Sequence, residues 1–251
     1  MTLIFTYSSH LFPINNIRLY KFYTIIGYFP IIVFLIYICG MDLQQLLKNY
    51  TNRPLPHQVL ITLLKDYKRP NDKINEWVKK GQLIPLKRGL YLPSEQGRNT
   101  AEPFVTANVL YGPSYISGET ALAFRGLIPE RVYGYLSMTT KPSKLFENAV
   151  GTFEYKHLPL PYYTFGVTLQ QLGVDQIAQV ATAEKALFDK IVTTSGILIR
   201  SKETALQYLL ENLRMEEHLL KELNTQQMCT WLQEAPKKES LSFTIKAIES
   251  L

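Results

Sequence analysis

The chain has 251 residues, of which 46% are apolar and 19% charged, and its formal net charge is +6. That balance supports one large domain or two small ones with real cores, and it argues against a disordered chain. Cys39 and Cys229 stand far apart without a CxxC partner, which argues against a disulfide framework or a zinc cluster and fits a reducing compartment.

Residues 1–40 form an apolar extension. They carry Arg18 and Lys21 and no acid, giving +2. Phe22 to Cys39 is uncharged over 18 residues, close to the minimum for a membrane span of about 20. Pro30 interrupts it, and by the positive-inside rule Arg18 and Lys21 would export everything downstream. No small-residue cleavage site follows. The segment is rich in Ile, Phe, Tyr and Asn, the products of AT-rich codons. The expectation is a mis-assigned start, with translation from Met41; a membrane anchor over residues 22–39 is the alternative.

Past the extension, Leu43, Leu46, Leu47 and Tyr50 form a helical stripe, punctuated by Pro54 and Pro56. Val59, Leu60, Leu63 and Leu64 form a second, broken at Tyr67–Pro70. Asn71 or Asp72 is expected to cap a third helix, which buries Ile74, Trp77 and Val78 and ends at Gly81. The runs Leu83–Leu86 and Leu90–Pro93, joined by Lys87-Arg88-Gly89, read as a hairpin with Gly89 at positive φ. Pro85 lacks an N–H, so its strand is expected at an edge. Ser94–Thr100 reads as a linker.

A mixed pattern follows. PFVTANVL and GETALAFRGL read as helices, and SYIS, VYGYLSMT, GTFEYKHL, TFGVTL and QIAQVA as strands. Thr182 caps the helix AEKALFDKIV, with Glu184 in its first turn. From Ser201 onward the chain reads as helical. The expected class is α+β: a winged helix-turn-helix over residues 41–95, a mixed α/β domain over 101–195 and a helical tail over 196–251.

Charge concentrates on the first of these parts. Residues 41–100 hold 11 basic and 5 acidic residues, a net +6, whereas residues 101–251 hold 14 and 16, a net −2. Such asymmetry points to an anionic partner. In a winged helix the third helix enters the major groove of DNA and the hairpin tip lies along the backbone. At about 100° per residue, the face opposite Trp77 presents Lys73, Asn75, Glu76, Lys79 and Lys80. Asn75 and Lys79 are the candidates for base or near-base contact. Lys73, Lys80, Lys87 and Arg88 are candidates for phosphates, with Lys68 and Arg69 adding backbone contacts.

The stretch WVKKGQLIPLKRGLYLP resembles the helix-and-wing signature of AbiEi-type antitoxins, the transcriptional regulators of type IV toxin–antitoxin systems in abortive infection. PSYISGETALAFRGLIPE, VYGYLSMTTKPSKLFENAVGTFEYKHL and QVATAEKALFDKIV resemble further segments of that family, so the likeness runs from about Met41 to Val192. It implies an N-terminal domain that binds inverted repeats in double-stranded DNA at its own promoter and represses transcription. It also implies a second domain that neutralises a cognate nucleotidyltransferase-like toxin, without requiring direct contact. The tail after Ser195 has no residue-by-residue match.

An enzyme has no motif behind it. His10, His57, His157 and His218 lack metal-binding spacing, and no phosphate-binding loop is present. Ser117-Gly118 reverses the order a nucleotidyltransferase needs. No metal, cofactor or small-molecule substrate is expected. Glu184, Lys185 and Asp189 are the nearest thing to a charged cluster. Glu184 and Asp189 diverge by about 140° on a helix, so the three read either as helix-start electrostatics on a solvated face or as a surface for antitoxin action. A protein-interaction adaptor using the winged helix and tail is the alternative function, and a membrane-tethered regulator is another. The expected location is the cytoplasm.

Overall fold

The computed structural model describes residue 50 and residues 52–95, 98–99, 101–130 and 133–251. The apolar extension, and the helix expected over Leu43–Tyr50 apart from Tyr50 itself, fall outside that range. The described chain is mixed α+β with two sheets.

The first part runs β1 (Leu55–Pro56), α1 (His57–Leu63), α2 (Pro70–Lys79), β2 (Leu83–Lys87), β3 (Leu90–Glu95) and β4 (Arg98–Asn99). Helix α2 starts two residues earlier than a cap at Asn71 would set it, and three earlier than a cap at Asp72 would. Pro70 takes the first helical position, where its fixed φ and missing N–H cost nothing, and Arg69 precedes it as the cap residue. Asp72 instead sits in the first turn, where the helix dipole favours an acid. The C-terminus follows expectation. Gly81 adopts φ +67°, its N–H bonds Val78 O at 3.0 Å, and the Gln82 N–H bonds Trp77 O at 2.9 Å. This paired closure satisfies carbonyls the helix leaves open.

The ribbon gains strands that the sequence pattern did not suggest. β1 pairs antiparallel with β3, so β3 is central and β2 is an edge, as Pro85 requires. In place of a linker, β3 continues to Glu95 and turns back through β4. Gly89 takes φ +77° at the tip. The ribbon is apolar on both faces. Leu83 and Tyr91 pack with Leu55, Leu60, Leu64, Ile74 and Trp77 in a small helical core. Ile84, Leu86, Leu90 and Leu92, on the other face, join the core of the rest of the chain. Trp77 is 3% exposed, and burying a side chain of that size contributes upward of about 2 kcal/mol.

The second part runs α3 (Pro103–Leu110), β5 (Ser114–Ile116), α4 (Gly118–Phe124), β6 (Tyr135–Thr139), β7 (Lys144–Asn148), β8 (Gly151–His157), β9 (Val167–Gly173), β10 (Gln176–Ala181) and α5 (Ala183–Thr193). Its six-stranded sheet has the order β7-β8-β6-β5-β10-β9. The β6–β8 and β5–β10 pairs are parallel and the others antiparallel. Ser137 pairs with Tyr155 and Met138 with Tyr115, so the two tyrosines point to opposite faces. Tyr155 donates to Ala107 O of α3 at 2.6 Å, and Tyr115 reaches Asp189 of α5 at 2.8 Å. Helices therefore cover both faces of the sheet centre.

The last part runs α6 (Lys202–Gln207), a π-helical turn at Tyr208–Asn212, α7 (Glu217–Lys221), α8 (Thr225–Trp231) and α9 (Lys238–Ile248). Far from standing apart, its buried residues, among them Leu209, Met228, Trp231, Leu241 and Ile245, belong to the same core as the sheet. Lys237 fixes the attachment. Its ammonium donates to Ile191 O, Thr194 O and Ile197 O at 2.9, 2.6 and 3.2 Å, placing a cation at the C-terminal end of α5, where the dipole favours one. Among the described residues, no helix is long and apolar enough to cross a membrane.

Candidate nucleic-acid interface

Helix α2 buries Ile74 and Trp77 and exposes Asn75, Lys79 and Lys80. Glu76 sits between two lysines and engages both. Lys73 Nζ donates to its Oε2 at 3.1 Å and Lys80 Nζ to its Oε1 at 2.6 Å. Those two bonds, with Lys80 the stronger influence, hold the Glu76 carboxyl below the usual range. Lys73 also lies over the Trp77 ring at 5.7 Å. Asn75, Glu76, Lys79 and Lys80 line a shallow groove together with Asp72. Lys79 makes no ion pair among the described residues. In the turn before the helix, Lys68 is exposed, and Arg69 stands 3.7 Å from Asp72 with both side chains well solvated.

At the ribbon tip, Arg88 is exposed. Lys87 is exposed too, but its ammonium is engaged within the chain. Its ammonium turns back and donates to Leu110 O at 2.6 Å, at the C-terminal end of α3. Burial, helped by the nearby ammoniums of Lys141 and Lys144, holds Lys87 below the usual lysine range. The cause is the packing of Leu86 and Leu90, its neighbours on the ribbon, into the larger core. Lys141 and Lys144 were not singled out from the sequence. The only local signal was the turn Thr140-Lys141-Pro142-Ser143-Lys144, which puts two cations on either side of a proline.

The second expected cluster is corrected. Lys185 and Asp189 are 0% exposed and pair at 2.9 Å, so they form neither a solvated face nor a contact surface. Asp189 accepts three more bonds, from Tyr115 OH at 2.8 Å, Ser117 Oγ at 2.7 Å and Tyr162 OH at 3.0 Å. Lys185 also donates to Tyr162 O at 3.0 Å. Burial, with Asp189's charge second, pushes both phenols far up. Burial likewise lowers Lys185, against the pull of Asp189. Glu184 is only half-buried, and its Oε1 accepts the Asn224 N–H at 3.1 Å. The network ties α5 to β5 and to the turn at Tyr162–Thr164.

Comparison with known proteins bears on the fold. No family model and no curated protein matches the sequence. The structure is similar to the crystal structure of the RV2827C protein from Mycobacterium tuberculosis, with TM-score 0.54 and 13% identity. The match covers 80% of this chain and 74% of that one. At that identity the likeness shows shared architecture alone.

A larger open cleft, about 810 Å³, lies away from α2, between strands β7–β8 and the end of α5. Leu145, Leu158, Val192 and Pro236 give it an apolar floor, and Lys156 pairs with Glu154 at 3.6 Å inside it. Among the described residues, no group of three or more His, Cys, Asp or Glu side chains could hold a metal ion. The described geometry offers exposed cations on α2 and in the turn before it, and Arg88 at the ribbon tip.

Proposed function

We propose that the chain is a DNA-binding transcriptional autorepressor and antitoxin, with α1, α2 and the β2–β3 ribbon acting as a winged helix-turn-helix. The observation that carries the reading is the exposed cationic surface of α2 and its flanks. From Lys65 to Arg88 there are 8 basic and 3 acidic residues, a net +5. One acid, Glu76, is occupied by two lysines. Lys68, Arg69, Asn75, Lys79 and Arg88 stand ready for an anionic partner, while Lys73 and Lys80 are held by Glu76 and Lys87 by Leu110 O. Double-stranded DNA suits the arrangement because a helix with an exposed Asn and Lys one turn apart fits a major groove.

The test is retardation of the fragment upstream of the chain's own gene, repeated over a range of salt. Binding weakens as salt rises, each phosphate contact adding about 0.9 to the log–log slope. Lys79→Ala and Arg88→Ala each lower affinity about tenfold, and each lowers that slope by about 1 if its partner is a phosphate. Unchanged affinity in both variants refutes the groove assignment.

The antitoxin half of the proposal rests on the motif resemblance over Met41–Val192, and it places the protein in the cytoplasm beside its toxin. Its test is co-expression with the product of the neighbouring reading frame. Growth arrest by a nucleotidyltransferase-like product, relieved by this chain, supports it. A neighbour of unrelated chemistry, or no relief, overturns it.

A further inference from the structure

Strand β9 closes the six-stranded sheet on one side, so its outer backbone groups have no strand partner among the described residues. Edge strands are ordinarily protected by lysine, proline, bulges or short length, because an open edge templates pairing with another chain. Apart from a bulge near its hairpin end, β9 has none of these. It is seven residues long, VTLQQLG, without a charge or a proline. Its register with β10 shifts only near the hairpin end, at Gln176/Ile177. From Phe165 to Thr182 the sole charged residue is Asp175. The opposite edge, β7, is built differently. It has five residues including Lys144 and Glu147, and Asn148 is tied to Leu86 O of the ribbon at 3.3 Å.

The β9–β10 hairpin also leaves two apolar side chains open on one face, beside Gln171 and Gln179. Ala178 and Val180 point into the core, at 1% and 0% exposure. The alternate positions point outward. Leu169 pairs across from Gln179 and Gln171 across from Ile177, and Leu169 and Ile177 are 73% and 55% exposed.

We propose that β9 is the pairing edge of a homodimer, in which two copies join their sheets antiparallel across a two-fold axis at Gln170. A second copy fits because a two-fold axis brings a strand against itself, so its central residue must pair with its own image. A glutamine amide can donate to and accept from its image, whereas a charged residue would be repelled. This register sets Leu169 against Gln171 of the second copy. It brings the two Leu169 side chains to diagonal positions, about 7–8 Å apart, with the Ile177 side chains flanking them. The uncharged edge and the exposed apolar pair are then covered in one step.

The experiment is sedimentation velocity on the full chain, without DNA, over a range of concentration. It therefore reads the dimer separately from the repressor proposal. Twice the chain mass is expected at the upper concentrations. Gln170→Lys abolishes the dimer, and Leu145→Lys on the opposite edge leaves it intact. As a second measurement that does not depend on a disruptive change, Gln170→Cys in a Cys39→Ser, Cys229→Ser background forms an intermolecular disulfide on mild oxidation. Directly opposed residues of antiparallel strands lie about 4.5–5.5 Å apart at Cα, within disulfide reach. A chain that stays monomeric throughout overturns the proposal. So does a dimer that survives Gln170→Lys, or one that Gln170→Cys does not cross-link.

Discussion

Glu76 and Lys80 on α2, and Lys185 and Asp189 on α5, are both acid–lysine pairs spaced i,i+4, at 2.6 and 2.9 Å. Their surroundings differ completely. The α2 pair is 41% and 60% exposed, shares its carboxylate with Lys73 and belongs to the cationic surface. The α5 pair is sealed from water, with the hydroxyls of Tyr115, Ser117 and Tyr162 committed to Asp189 and the ammonium of Lys185 to Asp189 and Tyr162 O. In water such a pair contributes little, because solvent screens it. In the interior, each charge depends on the other, because neither can be left bare without a large desolvation cost. The same local pattern thus serves electrostatic display in one helix and fold specification in the other.

The largest expected effect follows from breaking the buried pair. Asp189→Ala leaves Lys185 uncompensated and deprives Tyr115, Ser117 and Tyr162 of their acceptor. The expected loss is about 3–5 kcal/mol, a large share of a typical stability of about 5–15 kcal/mol. The urea midpoint measures it. Adding Lys185→Met to Asp189→Ala recovers part of the loss, since it removes the stranded charge but not the stranded hydroxyls. A single variant as stable as wild type would break the contrast between the two helices.

Gly166 guards the same site from the other side and is next in size. It has φ +59°, and a Cβ there would meet Lys185 Cβ at 2.7 Å and a ring carbon of Trp231 at 2.8 Å. Gly166→Ala is expected to cost about 2–4 kcal/mol, from the left-handed backbone and from overpacking together. Thermal unfolding reads it.

Much of the chain was legible because its signals are local. Gly81 and Gly89 mark backbone positions that need positive φ, and both have it. Thr182 was expected to cap α5, and its hydroxyl accepts the Lys185 N–H at 3.3 Å. The two continuous apolar runs of the ribbon carried more than was drawn from them: a strand apolar at every position has both faces buried, and here the second face docks on the larger core. What the local sequence could not show is a partner far away. Lys87 bonds Leu110 O, and Asp189 is claimed by residues at 115, 117 and 162. A helix carrying Lys and Asp among apolar neighbours reads alike whether water or a tyrosine faces it. Strand β1 hid behind Pro54 and Pro56, which read as punctuation, and β7 hid in a charged stretch that reads as a turn.

Alkaline pH separates the two regions by sign. The phenols around the buried pair, Tyr115 and Tyr162, sit well above their ordinary value, and burial pushes Tyr208 up to about 12. In the unfolded chain these phenols ionise near about pH 10. Above that point the unfolded state holds fewer protons than the folded one, so stability falls as pH rises. Stability is therefore fully present below about pH 10 and declines through the raised folded values. Tyrosinate absorbance and loss of helical circular dichroism are expected to rise together. Phenols that titrate near pH 10 in a chain that stays folded would break this account.

The smallest effect on stability gives the sharpest test of the exposed pair. Glu76→Gln removes the acid that holds Lys73 and Lys80. Because the pair is solvated, the stability change is expected to be small, far below that of Asp189→Ala. Acid acts in the same direction. The folded-state carboxyl is depressed, so its small contribution is present above the unfolded value and fades as pH falls through the folded one. The effect on DNA runs the other way. Two ammoniums are released and one negative charge is lost, so affinity is expected to rise several-fold and the salt slope to steepen by up to about 1.8. Lys79→Ala changes both quantities in the opposite sense. If Glu76→Gln weakens binding instead, Glu76 itself contacts the DNA, and accepting a hydrogen bond from a cytosine amino group is the contact its chemistry allows.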